Sequence, residues 1–234
     1  MGAHLIEPGN TPASFDAALA HGVDMIEFDV LPERMDDPGA SRLLLAHNYA
    51  HIDGAITLAE GLAHLASPPF ADVGLNVDVK LPGYEDRVVA ALREHGLVER
   101  ALISTSWMRA LVRFRELEPG LRLGWSVPRL RRDYTESWYT KLPAYVGKHY
   151  LRARLPQAAG RHLAAGRCDA VMSHWRLVSP RLLRVVRESG GELYVWTVDE
   201  AVRIGRLERL GVTGIITNDP RLFGQPPSAQ VAAE

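Results

Sequence analysis

Short apolar runs rich in branched residues recur along the chain. Each is followed by a stretch in which apolar positions return every three or four residues. The runs predict strands at Ala3–Ile6, Met25–Val30, Leu43–His47, Gly74–Lys80, Ala101–Ser106, Leu121–Val127, Ala170–Ser173, Glu192–Val198 and Gly214–Thr217. The helical spacing predicts helices at Ser14–His21, Leu58–Leu65, Tyr84–His95, Met108–Leu117, Pro180–Ser189 and Glu200–Leu210. Gly22, Gly96, Gly190 and Gly211 fall where helices should end, the position at which glycine accepts the left-handed closing conformation.

Strands alternating with helices imply parallel βαβ units joined by right-handed crossovers. Eight or so units in about 250 residues is the size of a (β/α)8 barrel, and this chain has 234 residues. A doubly wound open sheet should carry a glycine-rich dinucleotide fingerprint after its first strand, and none is present. The expected fold is a single-domain α/β (β/α)8 TIM barrel over residues 1–224. Leu43–His47 is then an extra strand, in a hairpin with the chain after Val30. Pro32–Ser41 reads as a surface turn, and 225–234, with two prolines and small residues, as a disordered tail. The stretch Arg131–Arg154 gathers Tyr134, Trp138, Tyr139, Tyr145 and Tyr150 among basic residues. It is either an irregular crossover pinned to the barrel by aromatics or a lid touching an amphiphilic substrate.

Composition narrows the partners. Lys+Arg of 27 against Asp+Glu of 28 leaves no broad basic surface for nucleic acid. With 47% apolar and 24% charged residues the chain is not wholly disordered. A single cysteine, Cys168, excludes an internal disulfide framework and a thiolate metal cluster, and fits a reducing compartment. No apolar run approaches the ~20 residues of a membrane span, and no basic segment followed by an apolar one opens the chain. A cytoplasmic protein without stable membrane insertion is expected; nothing in the sequence fixes an oligomeric state.

Chemistry in such a barrel sits at the carboxyl ends of the strands. Glu27 and Asp29 lie two apart in Met25–Val30 and share one face. Asp78 and Lys80 repeat that arrangement in Gly74–Lys80, Leu43–His47 ends in an imidazole, and Ala3–Ile6 offers His4. Inward carboxylates cannot be left unpaired, and three converging on one spot repel each other. A hard divalent cation with oxygen ligands, Mg²⁺ or Ca²⁺, answers both problems. His4 and His47 beside it would supply general acid and general base near neutral pH. Lys80 would offset an anionic substrate, and the chemistry is metal-assisted hydrolysis of a phosphate ester. Taken singly, each residue has a plainer reading: Glu27 or Asp29 as a salt-bridge partner of Lys80, Asp78 and Lys80 as mutual neutralisers, His4 as an exposed terminal residue. His174 follows the Ala170–Ser173 strand and reads as a surface residue, the alternative being one within reach of the same mouth.

These residues, in this order, resemble the glycerophosphodiester phosphodiesterase family. The series is His4, Asn10-Thr11-Pro12-Ala13-Ser14-Phe15, Glu27-x-Asp29, His47, Asp78-x-Lys80, Val195-Trp196-Thr197-Val198 and Ile216-Thr217-Asn218-Asp219-Pro220. The resemblance implies a barrel in which Glu27, Asp29 and Asp78 hold Mg²⁺ or Ca²⁺ and His4 and His47 form the acid–base pair. It also implies that Lys80 contacts the phosphate of a small-molecule phosphodiester and that Trp196 walls the leaving group. The implied products are sn-glycerol 3-phosphate and an alcohol. Leu5 stands where the family has a phosphate-gripping arginine, Gly9 where it has a glutamate, and Asn48 where an aspartate follows the second histidine. Asp78 replaces a more frequent glutamate, as in the related spider-type phospholipase D proteins. Two alternatives follow: the same barrel acting on lysophospholipids or another phosphodiester, and a non-catalytic barrel that binds a phosphorylated metabolite.

Overall fold

Strand β1 (Met25–Pro32) shows how the sheet is organised. Ile26, Phe28 and Val30 are buried beneath the helices, so the alternate residues Met25, Glu27 and Asp29 face the other side. A computed structural model describes residues 1–128 and 138–224 of the chain. The expected tail and Tyr134 lie outside them, as do the side chains of Trp138, Tyr139 and Tyr145.

The strands after β1 are β2 (Leu43–Leu44), β3 (Gly74–Val79), β4 (Ala101–Thr105), β5 (Arg122–Val127), β6 (Ala170–His174), β7 (Glu192–Trp196) and β8 (Gly214–Ile215). Their order in the sheet is β2-β1-β3-β4-β5-β6-β7-β8. Every pairing is parallel except that of β2, which returns antiparallel on β1 with Leu31 opposite Leu44. The helices are α1 (Pro12–Ala20), α2 (Leu58–Leu65), α3 (Glu85–Glu94), α4 (Met108–Leu117), α5 (Trp138–Ala164), α6 (Pro180–Glu188) and α7 (Ala201–Leu210). Strand and helix alternate, and the fold class is the (β/α)8 TIM barrel.

Local chemistry starts and stops these helices. Thr11 caps α1 and Thr57 caps α2, each in a reciprocal box with the residue three further on, Ser14 and Glu60. Gly22, Gly96, Gly190 and Gly211 all have positive φ, as expected of closing residues. One apolar layer lies between strands and helices; a second, of Leu102, Ala170, Met172 and Tyr194, fills the interior with Met25, Trp196 and Ile216 against it.

One expected strand is absent. Ala3–Ile6 is a turn, closed locally by the N–H groups of Ile6 and Glu7 donating to the carbonyl of Ala3. Pro8 and Gly9 follow, so the run is too short and too soon broken to extend. The turn instead bridges β1 and the segment after β8: Gly2 N donates to Glu27 O at 2.8 Å and Leu5 N to Asn218 O at 3.0 Å. The sheet is therefore curled enough for one turn to touch both β1 and the segment after β8. A cavity of about 580 Å³ runs along this seam. Helix α5 spans a stretch whose helical sequence pattern is interrupted by Pro143, Gly147, Pro156 and Gly160, so periodicity does not predict it.

Candidate active site

The register of three strands builds the site. Asp29, Asp78 and Ser104 are lateral neighbours across β1, β3 and β4, and Glu27 and Asn76 are neighbours one layer below. Because side chains alternate along a strand, all five project from the face that carries Glu27 and Asp29. Glu27, Asp29 and Asp78 each offer an oxygen within 4.8 Å of the others. They line a cavity of about 860 Å³ together with His47, Lys80 and Trp196. The sequence reading grouped His4, Glu27, Asp29, His47, Asp78 and Lys80; the structure brings the last five to one cavity, with Trp196 beside them.

Asp29 is the most enclosed of them, with 1% of its side chain exposed. Its Oδ2 accepts from Asn10 Nδ2 at 3.0 Å, and its Oδ1 meets His47 Nδ1 at 3.2 Å and the Lys80 ammonium. Burial alone pushes the Asp29 carboxyl up, but the Lys80 charge and the His47 hydrogen bond override it and hold the group well below the ordinary carboxylate value. Lys80 is the mirror image. Burial lowers its pKa, while Asp78 and then Asp29 raise it above the usual lysine value, so it stays an ammonium. Lys80 Nζ donates to Asp78 at 2.5 Å, and Ser104 Oγ donates to the other Asp78 oxygen at 3.3 Å. The amino group of Met1 contacts Glu27.

The plainer sequence reading, that Lys80 neutralises Asp29 and Asp78, is thus realised. It does not displace the functional one, because the pair faces a cavity and the carboxylates keep further lone pairs. The donor set fits a hard divalent cation: all the ligands are oxygen, and nearby Asn76, 2% exposed, has a buried Oδ1 with no hydrogen-bond partner among the described residues.

The frame around Lys80 is held from two sides. Trp107 Nε1 donates to the Lys80 carbonyl at 3.1 Å. The buried Tyr84 hydroxyl donates to Val30 O at 2.8 Å and accepts from Leu81 N at 3.2 Å, tying the end of β3 to β1. Trp196 is fixed by its Nε1, which donates to Met172 O at 2.9 Å. His174 lies edge-on to Trp196 and does not line the cavity.

His4 stands apart. It is exposed in the N-terminal turn, its Nδ1 accepts from Gly9 N at 3.1 Å, and it does not line the cavity that His47 lines. A Cβ on Gly9 would come within 2.7 Å of that Nδ1, so glycine is what lets this loop fold against the ring. Leu5 is exposed in the same turn and Asn48 caps the short helical turn after His47. Sequence reasoning named Asn10 only within the Asn10–Phe15 motif, with no role, and passed over Ser104 and Trp107. An asparagine ahead of a Thr-Pro helix start was the one available signal.

The chain matches the glycerophosphoryl diester phosphodiesterase family over residues 56–222, a span that includes Asp78, Lys80 and Trp196. It is 23% identical over 244 aligned residues to a glycerophosphodiester phosphodiesterase of Caldanaerobacter subterraneus subsp. tengcongensis, covering 91% of this chain and 89% of that one. A crystal structure from Silicibacter pomeroyi, described as a glycerophosphoryl diester phosphodiesterase, superposes with a TM-score of 0.73 at 21% identity, covering 94% of this chain and 89% of the other. A phosphodiesterase from Oleispira antarctica, solved with the product sn-glycerol-3-phosphate, gives a TM-score of 0.63 at 17% identity, covering 94% and 91%.

Proposed function

Because this chain belongs to the glycerophosphoryl diester phosphodiesterase family, we propose that it hydrolyses glycerophosphodiesters with a divalent cation held by Glu27, Asp29 and Asp78. The observation that carries this reading is the convergence of those three carboxylates, with His47 and Lys80, on one cavity. The products are sn-glycerol 3-phosphate and an alcohol, the former being the molecule bound in the Oleispira antarctica structure.

A bound Mg²⁺ or Ca²⁺ supplies Lewis-acid stabilisation of charge on the phosphoryl oxygens. The chain's own residues do the rest. His47 donates Nδ1–H to Asp29, which fixes the tautomer and leaves Nε2 as the nitrogen that exchanges a proton with substrate. Lys80, kept charged by its two carboxylates, contacts the phosphate. Trp196 is the apolar wall beside the leaving alcohol. His4 lies outside the cavity lining, so the geometry supports His47 and not His4 as the acid–base residue.

The test is hydrolysis of glycerophosphocholine and glycerophosphoglycerol by purified protein, before and after chelation. Release of sn-glycerol 3-phosphate that stops with chelator and returns with Mg²⁺ or Ca²⁺ is expected. Release unaffected by chelation, or none with any diester, overturns the reading.

A further inference from the structure

Among the described residues Asn10 is the one non-glycine residue with positive φ, at 61°. It is 5% exposed, lies outside the set of cation ligands, and its side chain makes two bonds to a single residue. Nδ2 donates to Asp29 Oδ2 at 3.0 Å, and Oδ1 accepts from the Asp29 backbone N–H at 3.1 Å. Few side chains can do this. The grip needs a donor and an acceptor on one planar group, and a short stem that tolerates the left-handed region. Non-glycine residues in that region persist where the surroundings over-determine them, often at functional sites.

Resting on the cation-site reading above, we propose that Asn10 is a positioning residue for that site: its amide locks the Asp29 carboxylate in the orientation that binds the cation. Oδ1 of Asp29 is engaged by His47 and Lys80, so the amide at Oδ2 sets the remaining rotation of the carboxylate. Without it Asp29 is free to turn towards Lys80 alone. A partner that orients a metal ligand is typically worth about 10–100-fold in metal affinity.

The test separates this role from a structural one. Asn10→Gly removes the amide yet accepts φ near 60° without strain; Asn10→Ala removes the amide and adds strain. Calorimetric titration with Mg²⁺ and with Ca²⁺ is expected to show affinity about 10–100-fold weaker for both variants. Thermal melts without metal should show both variants less stable than the parent, because two buried hydrogen bonds are lost, and Asn10→Ala the less stable of the two. A purely structural role predicts that loss of melting temperature with unchanged affinity, and unchanged affinity overturns the proposal. Asp29→Asn is the companion: it should abolish cation binding. If it binds as the parent does, the cation site itself is misassigned; if only Asn10→Gly matches the parent, the positioning role alone falls. Should Asn10→Gly not fold, the parent protein still decides. Its Asn10 side-chain amide resonances should move with the calorimetric saturation curve, and resonances that stay fixed overturn the proposal.

Discussion

His47 Nδ1 lies 3.2 Å from Oδ1 of Asp29, so the imidazole is oriented by the same carboxylate that belongs to the acidic cluster. The contact gives His47 a fixed tautomer that His4, bonded to the Gly9 backbone N–H, does not share. His47→Ala should therefore lower kcat by the ~10²–10⁴-fold typical of a lost acid–base group. His4→Ala should lose less than ~10-fold, short of that range. Steady-state kinetics of both variants decide; equal large losses would mean that the N-terminal turn rearranges during turnover.

Lys80 bridges Asp29 and Asp78. Lys80→Met leaves two carboxylates facing each other in a largely enclosed site. Removing one partner of a buried ion pair costs about 3–5 kcal/mol, and the variant should be destabilised on that scale in chelator. Saturating Mg²⁺ or Ca²⁺ should restore much more stability to the variant than to the parent, because the ion replaces the missing charge. Thermal melts with and without cation check this; no extra rescue would contradict the placement of the site.

The acid limb of stability follows from Asp29. Its folded-state pKa is depressed, so its contribution is present above the unfolded value of about 4 and is lost as pH falls below that. Lys80 is raised, so its contribution is present below about 10.4 and lost only as pH rises through its higher folded value. These are two ends of one ion pair, and between about pH 5 and 9 it adds no slope. Melting temperature should fall below about pH 4 for the parent and less steeply for Asp29→Asn. Identical acid limbs would contradict the assignment.

Much of this was written in alternation and spacing. Glu27 and Asp29, then Asp78 and Lys80, interrupt apolar strands two residues apart, and a period of two is enough to put each pair on one face. Their convergence follows because β1 and β3 are adjacent parallel strands in register. The turn at Ala3–Ile6 reads as a strand from three apolar residues around His4, although Pro8 and Gly9 just beyond them are a breaker signal. His4 therefore sits in a turn and not at a strand end. The grip of Asn10 on Asp29 escaped as well, because it joins residues nineteen apart through one unusual dihedral angle.

The proposed hydrolysis requires a divalent cation among Glu27, Asp29 and Asp78. Diffraction at an absorption edge from crystals grown with Mn²⁺ locates it directly. An anomalous peak within about 2.0–2.6 Å of oxygens from all three carboxylates, with Lys80 moved off Asp29, is predicted. Carboxylates still paired to Lys80, with manganese bound elsewhere or nowhere, would contradict it.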